Sequence, residues 1–263
     1  MTLKLLIAAS AALAIGACAT SLQTTSGADY LARYDASHQT TDSLTAEVDE
    51  DVRRIAALEP TLAFPARIGL ARIHRGTLTE IPADEAHIWQ ASLEDMGEQL
   101  GEIVPVSPLI AALVSDPATN GRHARSFDVN RAASVIAHIR RGAARQHLDF
   151  VLAYEVGSRQ HRKANALSAA DLTIIGMFVL PSRTVDVEAS ASALMLDVRT
   201  GYPYATLTTH AEASGLTRAV TNQSTRFAFV DSAEERAVEK LADEFAGALE
   251  ALEARAATIE PAG

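Results

Sequence analysis

The sequence holds a single cysteine, Cys18, so no disulfide can form within the chain and an oxidising compartment adds no covalent staple. Aromatic residues are scarce, at one Trp, five Tyr and seven Phe. No sugar-binding aromatic platform stands out among them. Basic residues are outnumbered 23 to 33, for a net charge of −10. That balance excludes the basic footprint of a nucleic-acid-binding protein and argues against a domain drawn to anionic lipid by its own charge. No apolar run reaches the roughly 20 residues of a spanning helix. Catalytic motifs are missing as well. There is no G-x-S-x-G elbow, no H-E-x-x-H, and no glycine-rich phosphate loop around Gly69, Gly76, Gly97 or Gly101. The eight histidines are scattered, with no helical pair that would seat zinc. The carboxylates Asp186 and Glu188 lie on one strand face, where solubility explains them. No catalytic residue, metal ligand or cofactor site is therefore assigned.

What the sequence does have begins at its amino end. Lys4 precedes an apolar or small stretch from Leu5 to Ile15, followed by Gly16, Ala17 and Cys18. A positive start, a short apolar segment and small residues at the cut describe a secretory signal peptide. Ile15-Gly16-Ala17-Cys18 resembles the bacterial lipobox, in which the cysteine is acylated, with palmitate as one chain, and becomes the first residue of the mature protein. Residues 1–17 are thus expected to be a lipoprotein signal peptide and Cys18 the lipidation site. Ala19 stands where a retention Asp would be, which implies the periplasmic face of the outer membrane. Residues 18–40, small and polar at first, are expected to form a flexible tether.

The rest reads as one α/β (α+β) domain over 61–257, after a short helix within 41–60 and before a loose tail at 258–263. For that helix, Asp42 or Ser43 is the expected N-cap, with Leu44, Val48, Val52 and Ile55 at helical spacing. Ala66–Ile73 reads as the first strand of a sheet covered on both faces. Pro82 opens a helix whose stripe is Trp89, Leu93, Met96, Leu100 and Ile103. Ile103–Val106 is an expected short edge strand. Asp128–His147 is a second helix. Its expected buried stripe is Val129, Ala132, Ile136, Ile139 and Ala143, and its outer face carries Arg131, Arg140, Arg141 and Arg145. Asp149–Val156 is a strand, Ser158–Asn165 a basic hairpin tip, and Leu172–Leu180 a buried strand or a membrane-contacting hairpin.

The clearest β signal follows. Val185, Val187, Ala189, Ala191, Ala193 and Met195 alternate with Thr184, Asp186, Glu188, Ser190 and Ser192. Arg199–Tyr202 turns this strand into a return strand from Tyr204 to about Ala213. Gly201 is expected at positive φ, and Asp197 and Thr200 are expected to bond the free amides of the turn. Two readings of the turn stay open: a purely structural one, in which Asp197, Thr200 and Gly201 serve the backbone, and one in which a partner reads exposed Arg199 and Tyr202, the candidate binding residues. Leu216–Phe229 reads as a loop with a short strand near Arg226–Phe229. From Asp231 or Ser232 a last helix runs to about Ala257, with Val238, Leu241, Phe245, Leu249 and Leu252 spaced 3, 4, 4 and 3.

Two resemblances follow from these residues. Leu196-Asp197-Val198-Arg199-Thr200-Gly201-Tyr202, with Val104-Pro105-Val106-Ser107 and Asp149–Leu152, resembles envelope lipoproteins of the curli-secretion and penicillin-binding-protein-activator type, and the TolB amino-terminal domain. Thr173–Pro181 together with the Asp197–Tyr202 turn is similar to the rhombotarget lipoproteins, a family with no defined activity. The resemblance spans residues 60–257 and implies a mixed, mainly antiparallel sheet with packed helices. The chain ends Glu260-Pro261-Ala262-Gly263, without the glycine-glycine and apolar-helix tail of rhombosortase substrates. It also implies a non-enzymatic envelope lipoprotein that binds or helps assemble a protein partner, held to the membrane through Cys18. The alternative is a small-ligand-binding or enzymatic lipoprotein with a pocket near the 185–214 hairpin.

Overall fold

The strict alternation that marks the long hairpin in the sequence becomes the middle of the sheet. In the computed structural model the described residues are 18–37, 46–94, 101–114, 129–164, 183–217 and 223–258. The strands are β1 (Ala19–Leu22), β2 (Ala66–His74), β3 (Thr77–Thr79), β4 (Gly101–Pro105), β5 (Phe150–Ala164), β6 (Arg183–Asp197) and β7 (Pro203–Thr217). The helices are α1 (Gly27–Ser37), α2 (Ala46–Ala56), α3 (Ala83–Leu93), α4 (Pro108–Leu113), α5 (Val129–Arg145) and α6 (Gln223–Ala256). Together they form one α+β domain on a seven-stranded mixed sheet ordered β1-β7-β6-β5-β2-β3, with β4 also paired to β2.

β5, β6 and β7 pair antiparallel along their whole lengths, while β2 runs parallel to both β5 and β4. The period-2 pattern of β6 sorts its residues: Val187, Ala189, Ala191, Ala193 and Met195 are buried on one face. α6 covers that face with Val238, Leu241, Phe245, Leu249 and Leu252, all fully buried, and α3 adds Trp89. The other face holds a second cluster of Ala71, Val151, Ala153, Leu196 and Val198 under Ile139 and Ala143 of α5. β2 is thus covered on both sides, and burying two faces explains why its sequence shows only weak alternation.

Several expectations need correction. Residues 19–37 are not a flexible tether: they form β1, paired to β7 from Ala19↔Thr208 to Leu22↔Ala205, and then α1. β1, not Ala66–His74, is accordingly the first strand. The expected helix within 41–60 is α2, whereas Asp42 and Ser43 lie outside the described residues. Ile103 does not extend the stripe of α3; it sits in β4, and 95–100, with Met96 and Leu100, lie outside the described residues.

In α5, Ala132 is exposed, and the inward positions are Val135, Ile136, Ile139 and Ala143. Gly142 lets α5 approach α4, since a Cβ there would stand 2.7 Å from the Ala111 methyl. Ser158–Ala164 is no hairpin tip but the far half of β5, paired to β6 as far as Ala164↔Arg183. No strand forms at Arg226–Phe229, because α6 already begins at Gln223. The apolar run Leu172–Leu180 and the signal segment 1–17 lie outside the described residues. Among the described residues no helix is long and apolar enough to cross a membrane.

Candidate functional site

The candidate site residues singled out above fall in two separate places, and the fold adds a third. Cys18 is half-buried with a free thiol, one residue ahead of β1. Besides its pairing with β7, β1 is held by two further hydrogen bonds. Thr20 Oγ1 donates to Glu244 Oε2 of α6 at 2.7 Å, and Gln23 N donates to Tyr204 O at 2.8 Å.

The β6–β7 turn lies beyond the other end of β1. Asp197 is fully buried, and its Oδ1 accepts from the Arg199 and Thr200 amides at 2.7 and 2.8 Å. Its Oδ2 accepts from Thr61 Oγ1 at 2.7 Å, and Thr200 Oγ1 accepts from the Tyr202 amide at 3.2 Å. Gly201 sits at φ 79. Arg140, expected on the outer face of α5, instead reaches this turn and donates to the carbonyls of Val198 and Arg199 at 3.0–3.2 Å. Arg199 is exposed, but Tyr202 is not: it is 2% accessible, and its hydroxyl donates to Thr25 O at 2.7 Å. The two candidate binding side chains are therefore not presented together: Arg199 faces solvent and Tyr202 packs inside. Burial also pushes the Tyr202 hydroxyl pKa up, which keeps it a donor.

The third place was not foreseen. A cleft of about 790 Å³ opens along β2 between α3, β4 and the start of α4. Ile68, Leu70, Trp89, Leu93, Ile103 and Pro105 give it an apolar wall, and Glu80 and Glu94 stand in the lining with no basic residue among its described members. No lining residue falls within 185–214, so the expected pocket near that hairpin is not where the cleft is. Beside it α4 starts with Ser107 as cap, its Oγ accepting from Ile110 N, and Pro108 in the first turn. The outer face of α4 leaves Leu109 and Leu113 exposed at 74% and 81%. Positions i and i+4 fall on one face, so the two leucines form a continuous apolar step.

Under α3 lies a closed polar cluster. Arg72 of β2 grips Glu85 of α3, with Nε 2.9 and 2.8 Å from the two carboxylate oxygens and Nη2 2.7 Å from Oε1. Tyr154 Oη donates to Glu85 Oε2 at 2.8 Å. Burial first, and then the Glu85 charge, push the Tyr154 hydroxyl far above its usual range; the hydrogen bond to Glu85 raises Arg72. Every oxygen of Glu85 is taken, so the cluster is a structural clamp and offers no free acid or base. Among the described residues no group of three or more His, Cys, Asp or Glu could hold a metal ion.

The cleft was hidden from sequence because its wall comes from four elements spread over 68–108, each with ordinary apolar periodicity. Only the pair Leu109 and Leu113, after Ser107-Pro108, left a local trace. No protein-family model matches the sequence, and no curated protein does. Among solved structures, a PelC dodecamer from Paraburkholderia phytofirmans is similar at 11% identity, over 72% of this chain and 91% of that one, with a TM-score of 0.32. A minor lipoprotein from Acinetobacter baumannii is similar at 10% identity, over 72% and 95%, with a TM-score of 0.34. A lipoprotein from Neisseria meningitidis is similar at 14% identity, over 64% and 94%, with a TM-score of 0.28. Bacterial lipoproteins thus stand among the neighbours, at TM-scores too low to carry an argument about this chain.

Proposed function

We propose that the chain is a non-enzymatic lipoprotein of the bacterial envelope, acylated on Cys18 at the periplasmic face of the outer membrane, that binds a protein partner. The observation behind the binding reading is the apolar cleft with the exposed Leu109–Leu113 step beside it. An apolar cleft continued by exposed leucines is the kind of contiguous patch that marks an association surface, where a leucine alone would not. Glu80 and Glu94 favour a partner segment with apolar side chains and a flanking basic residue. The anchor reading rests on Ile15-Gly16-Ala17-Cys18, and it has an all-or-none test. Cys18→Ser is expected to lose labelled palmitate and to leave the membrane pellet; equal labelling of both proteins overturns it.

The binding reading is tested in the intact envelope. A photo-crosslinking residue at Leu109 is expected to yield a discrete adduct that Leu113→Glu abolishes. The same residue at exposed Arg255 on the last turn of α6 should yield none. Identical adduct patterns at the two positions overturn the docking surface.

A further inference from the structure

Were its small, polar first part, 19–27, a free tether, about nine residues would let the domain wander about 15–18 Å from its anchor. Here that freedom is missing, because Ala19 is already paired to Thr208 and one residue spans about 3.5 Å. β1 is the edge of the sheet, and among the described residues nothing pairs with its outer side, where a strand leaves amides and carbonyls bare. The stretch from Cys18 to Ala28 holds no charged residue, in a chain of net charge −10. A strand with no charge of its own and unpaired polar backbone, with the Glu244 carboxylate of α6 held against it by Thr20, fits the lipid headgroup layer, which supplies both donors and acceptors. We infer that the domain sits edge-down on the bilayer, with the outer side of β1 against the headgroups and the strands lying along the membrane plane. This rests on the acylation of Cys18 proposed above.

The other way to attach the domain would point the strand ends at the membrane, and the charges decide against it. Cys18 lies level with Thr209, and β7 continues to Thr217, eight residues or about 26 Å further in the direction of the anchor. Standing upright, this arm would drive Glu188 and Glu212, both exposed and paired opposite each other, below the headgroups. Carboxylates facing lipid at that depth are strongly disfavoured. Laid flat, they stay in water. The opposite edge, with β3, β4 and the cleft, then faces away from the membrane, five strand spacings or about 24 Å from β1.

The test uses the full acylated chain in vesicles of phosphatidylethanolamine and phosphatidylglycerol with a headgroup-attached energy acceptor. With Cys18 blocked by lipid, a dye is placed on Ser21→Cys, Thr77→Cys or Glu212→Cys, all at exposed positions. Acceptor quenching is expected to be several-fold stronger at 21 than at 77. A twelve-residue Gly-Ser insert between Cys18 and Ala19 should erase that difference. Equal quenching at 21 and 77 without the insert overturns the orientation alone. So does quenching of the 212 dye by lipids brominated in mid-chain, which is the upright outcome. Absence of acyl label from the wild-type chain overturns the anchor reading, and the orientation with it.

Discussion

Replacing Glu85 by alanine is expected to lower the melting temperature by about 6–20 °C, from a loss of about 3–5 kcal/mol at roughly 2–4 °C per kcal/mol in a domain of this size. The cost comes from what stays behind. The Arg72 side chain is 13% accessible and that of Glu85 10%, so the guanidinium left alone is a charge with little water around it. Tyr154 Oη would lose its acceptor at the same time, at full burial. Arg72→Met should cost a similar amount by stranding the carboxylate. The double variant Arg72→Met with Glu85→Leu is expected to melt above either of its own single variants, Arg72→Met and Glu85→Leu, because apolar residues of similar volume replace a buried pair with little penalty. A thermal melt of the four proteins of this cycle gives the coupling directly. Additive losses would show that the clamp is solvated and that α3 is held by its apolar contacts alone.

The clamp also shows where sequence reasoning stopped. Arg72 and Glu85 are thirteen residues apart, and nothing local says that a strand residue and a first-turn helix residue will meet. Tyr154 is further still, brought opposite Arg72 by the parallel register of β2 and β5. By contrast, β6 and the core of α6 were legible because their signals are periodic and local. A face of five apolar residues at period 2, or a stripe at 3, 4, 4 and 3, has few alternative explanations. β1 was not legible for the opposite reason. Ala-Thr-Ser-Leu is three small residues and one Leu, too short a run for a period to show, and its structure is supplied by β7, almost two hundred residues away.

The start of α6 failed differently. Gln223–Val230 is rich in Thr, Phe and Val, which favour strands, but Phe229 and Val230 pack on the core as an extension of the helix. Tertiary packing overrode the propensity. The far half of β5 is as polar as a loop, yet it pairs with β6 over its whole length. The cleft is the strongest case, since no one of its elements carries its shape. The function proposed from the sequence is concentrated at Cys18, because acylation is read from a short linear signal.

Asp197→Ala is expected to cost about 3 kcal/mol, since hydrogen bonds to a charged acceptor contribute about 1.5–3 kcal/mol each and three are lost without full additivity. That corresponds to a fall of about 6–12 °C in melting temperature. The carboxylate is the joint between two regions: it closes the turn through the Arg199 and Thr200 amides and holds Thr61, the segment leading into β2. Gly201→Val attacks the same turn from its other side. At φ 79 a β-branched residue costs about 1–3 kcal/mol. In addition, its Cβ would stand 2.8 Å from Arg140 Nη1, pushing away the guanidinium that binds the carbonyls of Val198 and Arg199. The two contributions separate in a cycle with Arg140→Ala, where Gly201→Val should cost less than it does in the wild type by the part due to the clash. Arg199→Ala, at an exposed position on the same turn, should leave the melting temperature where it is. If Gly201→Val melts like the wild type, the left-handed turn is misplaced. The register of β6 against β7, and with it the seat of β1 beside Cys18, then falls as well.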